Sequence, residues 1–348
     1  MGYEPSPGPP DAAVAGARRV LDRLRELAAL GDSARFRHLL WERHGDVHRY
    51  LSSLRVEGSD AALTESYVSD ALVRFLRTLE LVPLPPPGRI LEIGSNPYFF
   101  HALLSRLFPS AVLSGTNFFE HDVLSTKVGT LTQRIRSEEF EETYDFSSAL
   151  FSLETVAEYP FAAESFDLVF FCETLEHLVV DPLAVFDRIR RLLAPGGRLV
   201  VTLPNAVRLT NVALILAGCN FFDLYHTQNG VHGRHNREFT LEELSAVLGR
   251  SAFVVERAET QDRYDYERIP IRTVDYTGTS LPLPWRKSEL ERALRRAGGR
   301  LDNRGDNLYV VARRPRSGEE VGPAAGCVPP RLPARPRGLF GLLDRRRS

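Results

Sequence analysis

Cysteine, lysine and long apolar runs are what this chain of 348 residues has least of. It holds three cysteines, Cys172, Cys219 and Cys327, at spacings that match no zinc or iron–sulfur pattern and too few for a disulfide framework. A reduced, cytoplasmic protein is the natural expectation. No apolar stretch approaches the roughly 20 residues that span a bilayer. The opening MGYEPSPGPPDAAVAG lacks a basic segment followed by an apolar one, so no signal peptide is expected. Lys127 and Lys287 are the sole lysines beside 42 arginines, a skew that points to GC-rich codon usage in a bacterial source. Neither sign of charge dominates: the formal net charge is −1. With no basic stripe interleaved with aromatics, nucleic acid is not an expected partner.

Residues 90–99, ILEIGSNPYF, are the most informative stretch. An apolar strand carries Glu92 and breaks at Gly94 into a short polar turn ahead of a predicted helix. Such a turn lets backbone N–H groups approach a nucleotide-like ligand. A second strand is predicted over 111–115, ending at Thr116 and Asn117, where a nucleotide-binding α/β fold places a ribose-binding acid. FDLVFFC, residues 166–172, is the continuous apolar run of a strand buried on both faces. LLAPGGRLVVTLPN, residues 192–205, gives a helix end, a Pro-Gly-Gly turn and another buried strand.

Ahead of these strands, residues 17–83 form a predicted helical cap, with apolar residues recurring at three and four and a helix opening at Thr64. Residues 1–16 are expected to be disordered, and VPLPPPG, residues 82–88, to be a stiff linker. The main domain is predicted over 84–314, with lid insertions at about 206–238 and 260–305. Within it Thr240 and Glu243 make a capping box, and strands near 253–257 and 307–312 complete the sheet. The segment 315–348 is a basic Pro/Arg-rich tail. From residue 313 onward nine arginines face Glu319, Glu320 and Asp344, a net of +6, so the remainder carries −7. The tail is expected to be solvated and disordered. Its other use is weak contact with an anionic membrane surface at the inner face, through Leu339, Phe340, Leu342 and Leu343.

Together EIGSN, FAAESFDLVFFCETLEHL and LAPGGRLVVTLPN resemble, in order and spacing, the class I S-adenosylmethionine-dependent methyltransferases, over roughly 84–314. The resemblance implies an α/β fold: a doubly wound, mostly parallel seven-stranded sheet with an N-terminal helical extension and lid insertions. The chain departs from the family pattern at Asn96, which replaces a second glycine, and at Asn117, which replaces the ribose acid. The likeness implies that Glu92 and Gly94 hold the amino-acid portion of S-adenosylmethionine, with Ser95 and Asn96 in the loop. It puts Asn117 at the ribose flanked by Phe118, and adenine near 151–154, including Leu153 and Glu154. Cys172 and Glu173 close the methionine end. For Phe118 and Phe151, core packing is the competing role.

The string ETLEH follows Cys172 directly. On a helix, Glu173, Glu176 and His177 share one face, and two carboxylates with an imidazole suit a divalent cation. The insertion offers His226, His232 and His235 as a fourth ligand. GRHNREFTLEEL resembles the corresponding point of the ubiquinone-biosynthesis O-methyltransferases, which share an E-x-x-E-H metal element with the small-RNA 2′-O-methyltransferases. That likeness selects His235, giving Glu173, Glu176, His177 and His235 as ligands for Mg2+ or another divalent ion. The same residues also serve without a metal, with His177 or His235 as general base and Glu173 beside them. The remaining histidines, His38, His44, His48, His101 and His121, are expected on surfaces or helices.

These features imply O-methylation of a hydroxylated small molecule or glycan. Arg208, Arg234 and Arg237 are available to an acceptor that is sugar-like or phosphorylated. Two alternatives stay open: a quinone or lipid acceptor reached at the membrane through the tail, and a cofactor-binding scaffold without catalysis. An N-methyltransferase string of the D/N-P-P-Y/F kind does not follow the fourth predicted strand.

Overall fold

The computed structural model describes residues 10–59, 61–118, 125–222, 234–274 and 280–319. The expected tail beyond 319, Cys327, His121, His226 and His232 lie outside them.

Four helices come first: α1 (Pro10–Ala29), α2 (Ser33–Glu42), α3 (His44–Ser53) and α4 (Ala61–Leu79), with the short strand β1 (Arg55–Val56) before α4. Val20, Leu21, Leu24, Leu27 and Ala28 repeat at helical spacing on α1 and are all buried. α1 begins at Pro10, inside the segment expected to be disordered, and α4 starts three residues before its predicted cap, Thr64. Asp32 caps α2, its carboxylate accepting from the Arg35 N–H at 3.1 Å.

The main sheet then builds from β2 (Arg89–Ile93), β3 (Val112–Asn117), β4 (Gly129–Ser137), β5 (Glu142–Leu150), β6 (Phe166–Cys172), β7 (Leu193–Pro204), β8 (Val254–Gln261) and β11 (Asn307–Arg313). Between these lie α5 (Phe99–Leu107), α6 (Pro182–Leu192), α7 (Leu209–Leu216), α8 (Leu241–Arg250) and α9 (Lys287–Arg296), with a small hairpin of β9 (Arg272–Val274) and β10 (Ser280–Pro282). The order across the sheet is β1-β4-β5-β3-β2-β6-β7-β11-β8. Strands β5, β3, β2, β6 and β7 run parallel, and β11 lies antiparallel between β7 and β8. This is the doubly wound, mostly parallel Rossmann-like arrangement expected, but with nine strands instead of seven. The two added strands are β4, antiparallel to β5, and β1, antiparallel to β4.

Alternation along each strand divides the core in two. Ile90, Leu168, Phe170, Val200 and Tyr309 pack with α1–α5, while Leu91, Val169, Phe171, Val201 and Val310 pack with α6 and α8. A third, smaller cluster joins Leu209 and Ala213 of α7 to Tyr266, Ile271, Leu283 and Leu290. Among the described residues, no helix is long and apolar enough to cross a membrane. The carboxyl ends of the parallel strands meet the amino end of α5 and the inner face of α4, and that rim is where ligands bind in open α/β sheets.

Candidate active site

β2 ends at Ile93, and Gly94 turns the chain with φ +77°, a conformation L side chains rarely adopt. The Gly94 N–H donates to the Thr116 hydroxyl at 3.2 Å, and a Cβ on Gly94 would run into the Thr174 hydroxyl. Ser95 is buried, its N–H and hydroxyl both donating to the Thr116 carbonyl at 2.9 and 3.0 Å. The loop from Gly94 through Asn96 thus forms one wall of a cleft at the end of β2. The opposite wall comes from α4, through Tyr67, Arg74, Phe75 and Thr78. Glu92, Cys172 and Glu173 line the same cleft.

Glu92 is buried and accepts a hydrogen bond from His101 Nδ1 at 2.8 Å. Burial pushes its carboxyl up, and His101 pulls it partly back. His101 itself is buried on α5, edge-on to Phe146. Of the two expected settings, surface or helix, it takes the helix, and it is buried there. Loss of water around the Cys172 sulfur pushes its thiol up to about 12, so it stays protonated.

The string after Cys172 does not form the expected α-helix. Glu173 adopts φ +47°, and only Leu175–His177 wind into one 3-10 turn. The consequence is a division of labour within ETLEH. Glu173 turns back toward the cleft, where Arg74 Nη1 meets its Oε2 at 2.8 Å and the Thr202 hydroxyl donates to its Oε1 at 3.0 Å. Asn307 Nδ2 donates to both oxygens at 3.2 and 3.3 Å. Glu176 and His177 face the other way and meet His235.

Ligand atoms of Glu176, His177 and His235 all lie within 4.8 Å of one another. Glu173 is not in the group, so the structure assembles three of the four predicted ligands. Glu176 is fully buried, and among the described residues no other residue hydrogen-bonds its carboxylate oxygens. Burial, with the charge of Glu173 nearby, pushes its carboxyl well above the usual carboxylate range. His177 Nδ1 sits 3.1 Å from the Arg234 carbonyl, and His235 Nδ1 lies 2.9 Å from Glu238 Oε1. Both partners accept, so each Nδ1 carries a proton. Glu238 is held in turn by Arg208 at 2.5 Å. Despite burial, His235 and Arg208 keep the Glu238 carboxyl below its usual value. The 3-10 turn is stitched to the insertion by Asn236 N–H and Arg237 N–H donating to the Glu176 carbonyl at 2.7 and 3.2 Å.

Beside His235 opens a second hollow, walled by Ala206, Phe221, Phe222 and Glu238. The Phe221 and Phe222 rings stack at 4.5 Å. Arg237 lies over Phe239 and pairs with Glu243 at 2.9 Å, so this predicted acceptor arginine, like Arg208 on Glu238, is engaged within the protein.

Other predicted contacts sit at the rim in varied roles. Asn117 ends β3, its Oδ1 accepting from the Phe118 N–H at 2.8 Å and its Nδ2 donating to the Tyr98 hydroxyl at 3.4 Å. Phe118 is exposed at 40%, whereas Phe151 is core, packed on Tyr159 and Phe161. The Leu153 carbonyl accepts from Tyr159 and Arg188, and Glu154 Oε1 accepts from the N–H groups of Val179 and Val180. Sequence reasoning missed Arg74, His101 and Glu238. For His101 a signal existed, since FFHALL places it in a short apolar helix nine residues after Glu92. For Arg74, one of many arginines on amphipathic helices, there was none.

Residues 91–201, from β2 through most of β7, match the family model described as methyltransferase domain. No curated protein matches the chain. Among solved structures it is similar to a chain of the complex between the Haloferax volcanii Trm112 methyltransferase activator and a methyltransferase, at 15% identity and TM-score 0.41, over 70% of this chain and 89% of that one. It is also similar to Haemonchus contortus phosphoethanolamine N-methyltransferase 2 in complex with S-adenosyl-L-methionine, at 16% and 0.39 over 70% and 53%. A third likeness is to an S-adenosylmethionine-dependent methyltransferase of Thermotoga maritima, at 16% and 0.39 over 79% and 94%. At TM-scores below 0.5 these three carry no weight of their own. The matched segment and the strand order support a class I S-adenosylmethionine-dependent methyltransferase.

Proposed function

We propose that the chain transfers the methyl group of S-adenosylmethionine to a hydroxyl of a small molecule or glycan, with His235 as general base. The observation that carries this reading is the cluster of Glu176, His177 and His235 at the end of β6. When bound, the cofactor supplies a sulfonium methyl group that needs no covalent enzyme intermediate. The Gly94–Asn96 turn, Glu92 and Cys172 are the residues to hold its methionine end.

What the protein must do is align an acceptor oxygen with that methyl group and take its proton. His235, with Nδ1 held by Glu238, would take that proton at Nε2. The bond from Nδ1 to Glu238 fixes the tautomer and stabilises the ring once it is charged, in the manner of a carboxylate-oriented imidazole. Arg208 keeps Glu238 ionised for this task. The hollow beside His235 offers the Phe221–Phe222 stack as a platform for a ring-shaped acceptor.

The same cluster fits a divalent cation. A fully buried carboxyl facing two imidazoles that are each anchored through Nδ1 has the composition and outer-shell support of a metal site. Two nitrogens and one oxygen suit Zn2+ or Mn2+ better than Mg2+, which prefers oxygen alone. Such an ion, held by Glu176, His177 and His235, would be an alternative to His235 as base, because a ligating Nε2 cannot also take a proton; it would act by lowering the pKa of an acceptor hydroxyl.

The test is calorimetric titration with S-adenosylmethionine before and after a chelator, followed by labelled methyl transfer to a panel of hydroxylated compounds. Glu176→Ala and His235→Ala should each lower turnover at least ~100-fold and leave the cofactor dissociation constant within about twofold. Elemental analysis separates the two readings: an ion in the wild type that is lost in Glu176→Ala means metal activation, and an ion-free active wild type means His235 as base. Wild-type rates in both variants would sink the proposed site, and failure of the wild type to bind the cofactor would sink the class.

A further inference from the structure

The walls of the methionine cleft carry three ionisable charges among the described residues. Two are acids, Glu92 and Glu173, and one is a base, Arg74. S-adenosylmethionine brings three charges at the same end: a sulfonium, an ammonium and a carboxylate. The acids suit the two cationic groups. The carboxylate must also leave water, and an anion moved into a cleft without a cation or donors costs several kcal/mol. Among the described lining residues, only Arg74 offers the charge.

Arg74 is placed for this. Its side chain is 13% exposed, close enough to the cleft to line it and dry enough for charge pairing to count. Nη1 is on Glu173 at 2.8 Å, Nη2 is 3.3 Å from the Tyr67 hydroxyl, and the guanidinium lies 5.6 Å over the Phe75 ring. These contacts fix its plane without using all five N–H groups, so donors remain for a bidentate partner. Glu173 stays satisfied when the guanidinium is shared, because Thr202 and Asn307 also donate to it.

We propose that Arg74, on the N-terminal helix α4 and outside the segment 91–201 that matches a methyltransferase domain, binds the α-carboxylate of S-adenosylmethionine. The proposal rests on the reading that this cleft takes that cofactor. Glu173 is then a positioning residue that holds the arginine, which accounts for its separation from the Glu176 cluster.

The test compares two ligands that differ in that carboxylate alone. The full chain is titrated calorimetrically with S-adenosylmethionine and with decarboxylated S-adenosylmethionine. Wild type should prefer the carboxylated form by roughly 10- to 100-fold. Arg74→Gln should lose that preference by weakening S-adenosylmethionine binding while leaving the decarboxylated ligand within about twofold, and Arg74→Lys should recover part of it. Thermal melts of both variants report the fold independently. If Arg74→Gln weakens both ligands equally, the arginine merely shapes the cleft and the proposal falls. It also falls if neither affinity changes. Binding of neither ligand by wild type would instead overturn the cofactor reading on which it stands.

Discussion

Gly94 combines a left-handed backbone with a close approach to Thr174, so a methyl group there meets two obstacles at once. Conformation alone should make Gly94→Ala about 1–2 kcal/mol less stable, and displacement of Thr174 should distort the turn that walls the cleft. Urea denaturation should show the lower midpoint, and calorimetry a loss of S-adenosylmethionine affinity. An unchanged midpoint with unchanged affinity would mean the turn is not held as described. Cys172 allows a second residue-level check. Burial pushes its thiol up to about 12, so at pH 8 the unreactive thiol form prevails. Cys219, half-buried just past α7, is the comparison. Iodoacetamide on the native protein should modify Cys172 at least ~10-fold more slowly than Cys219, followed peptide by peptide in a mass-spectrometric time course. Equal rates would show that the cleft does not shield that sulfur.

At the level of elements, legibility followed burial and capping. The strands β2, β6 and β7 were readable because strands covered on both faces are continuous apolar runs. β4 and β1 were not: GTLTQRIRS alternates polar and apolar residues with its outer face in water, and β1 has two residues. In β4 only Leu131 and Ile135 are apolar, too sparse an alternation to stand out from a polar loop, and β1 is too short for any pattern. α8 was readable from Thr240 and Glu243, and both reciprocal bonds of the box form, at 2.9 and 3.1 Å. Thr240→Ala should therefore cost about 1 kcal/mol and lower the melting temperature by about 2–4 °C; no shift in a calorimetric scan would mean that tertiary packing alone holds the helix start. ETLEH shows the limit of spacing. Glu173, Glu176 and His177 share a face on a helix, but the left-handed φ of Glu173 delays the winding to a single 3-10 turn. That one backbone angle sends Glu173 to Arg74 and leaves Glu176 and His177 with His235. Spacing does not reveal it, because a glutamate in that conformation is stabilised only by partners from α4, β7 and β11.

For the whole molecule, the question is whether the N-terminal helices are a lid on a self-sufficient domain or part of its body. The matched segment begins at residue 91, which invites the first view. The packing argues for the second. α1–α4 share one continuous cluster with α5 and with one entire face of the sheet, including Ile90, Leu168, Phe170, Val200 and Tyr309. Removing residues 1–83 would bare Phe99, Phe100, Leu103, Leu104 and Phe108 along with those sheet residues, all now 5% exposed or less. Burying each such side chain contributes about 1.5–3 kcal/mol, so the loss equals or exceeds the roughly 5–15 kcal/mol that holds a typical domain together. Residues 84–319 alone should therefore fail to unfold cooperatively, bind a hydrophobic dye strongly and show no cofactor binding. A detachable lid predicts the opposite for stability, a sharp melt and a soluble monomer, with only the cofactor affinity lost through Arg74 and Tyr67. Differential scanning calorimetry of the truncated chain separates the two, and a cooperative transition within a few degrees of the full protein would overturn the view of the helices as core.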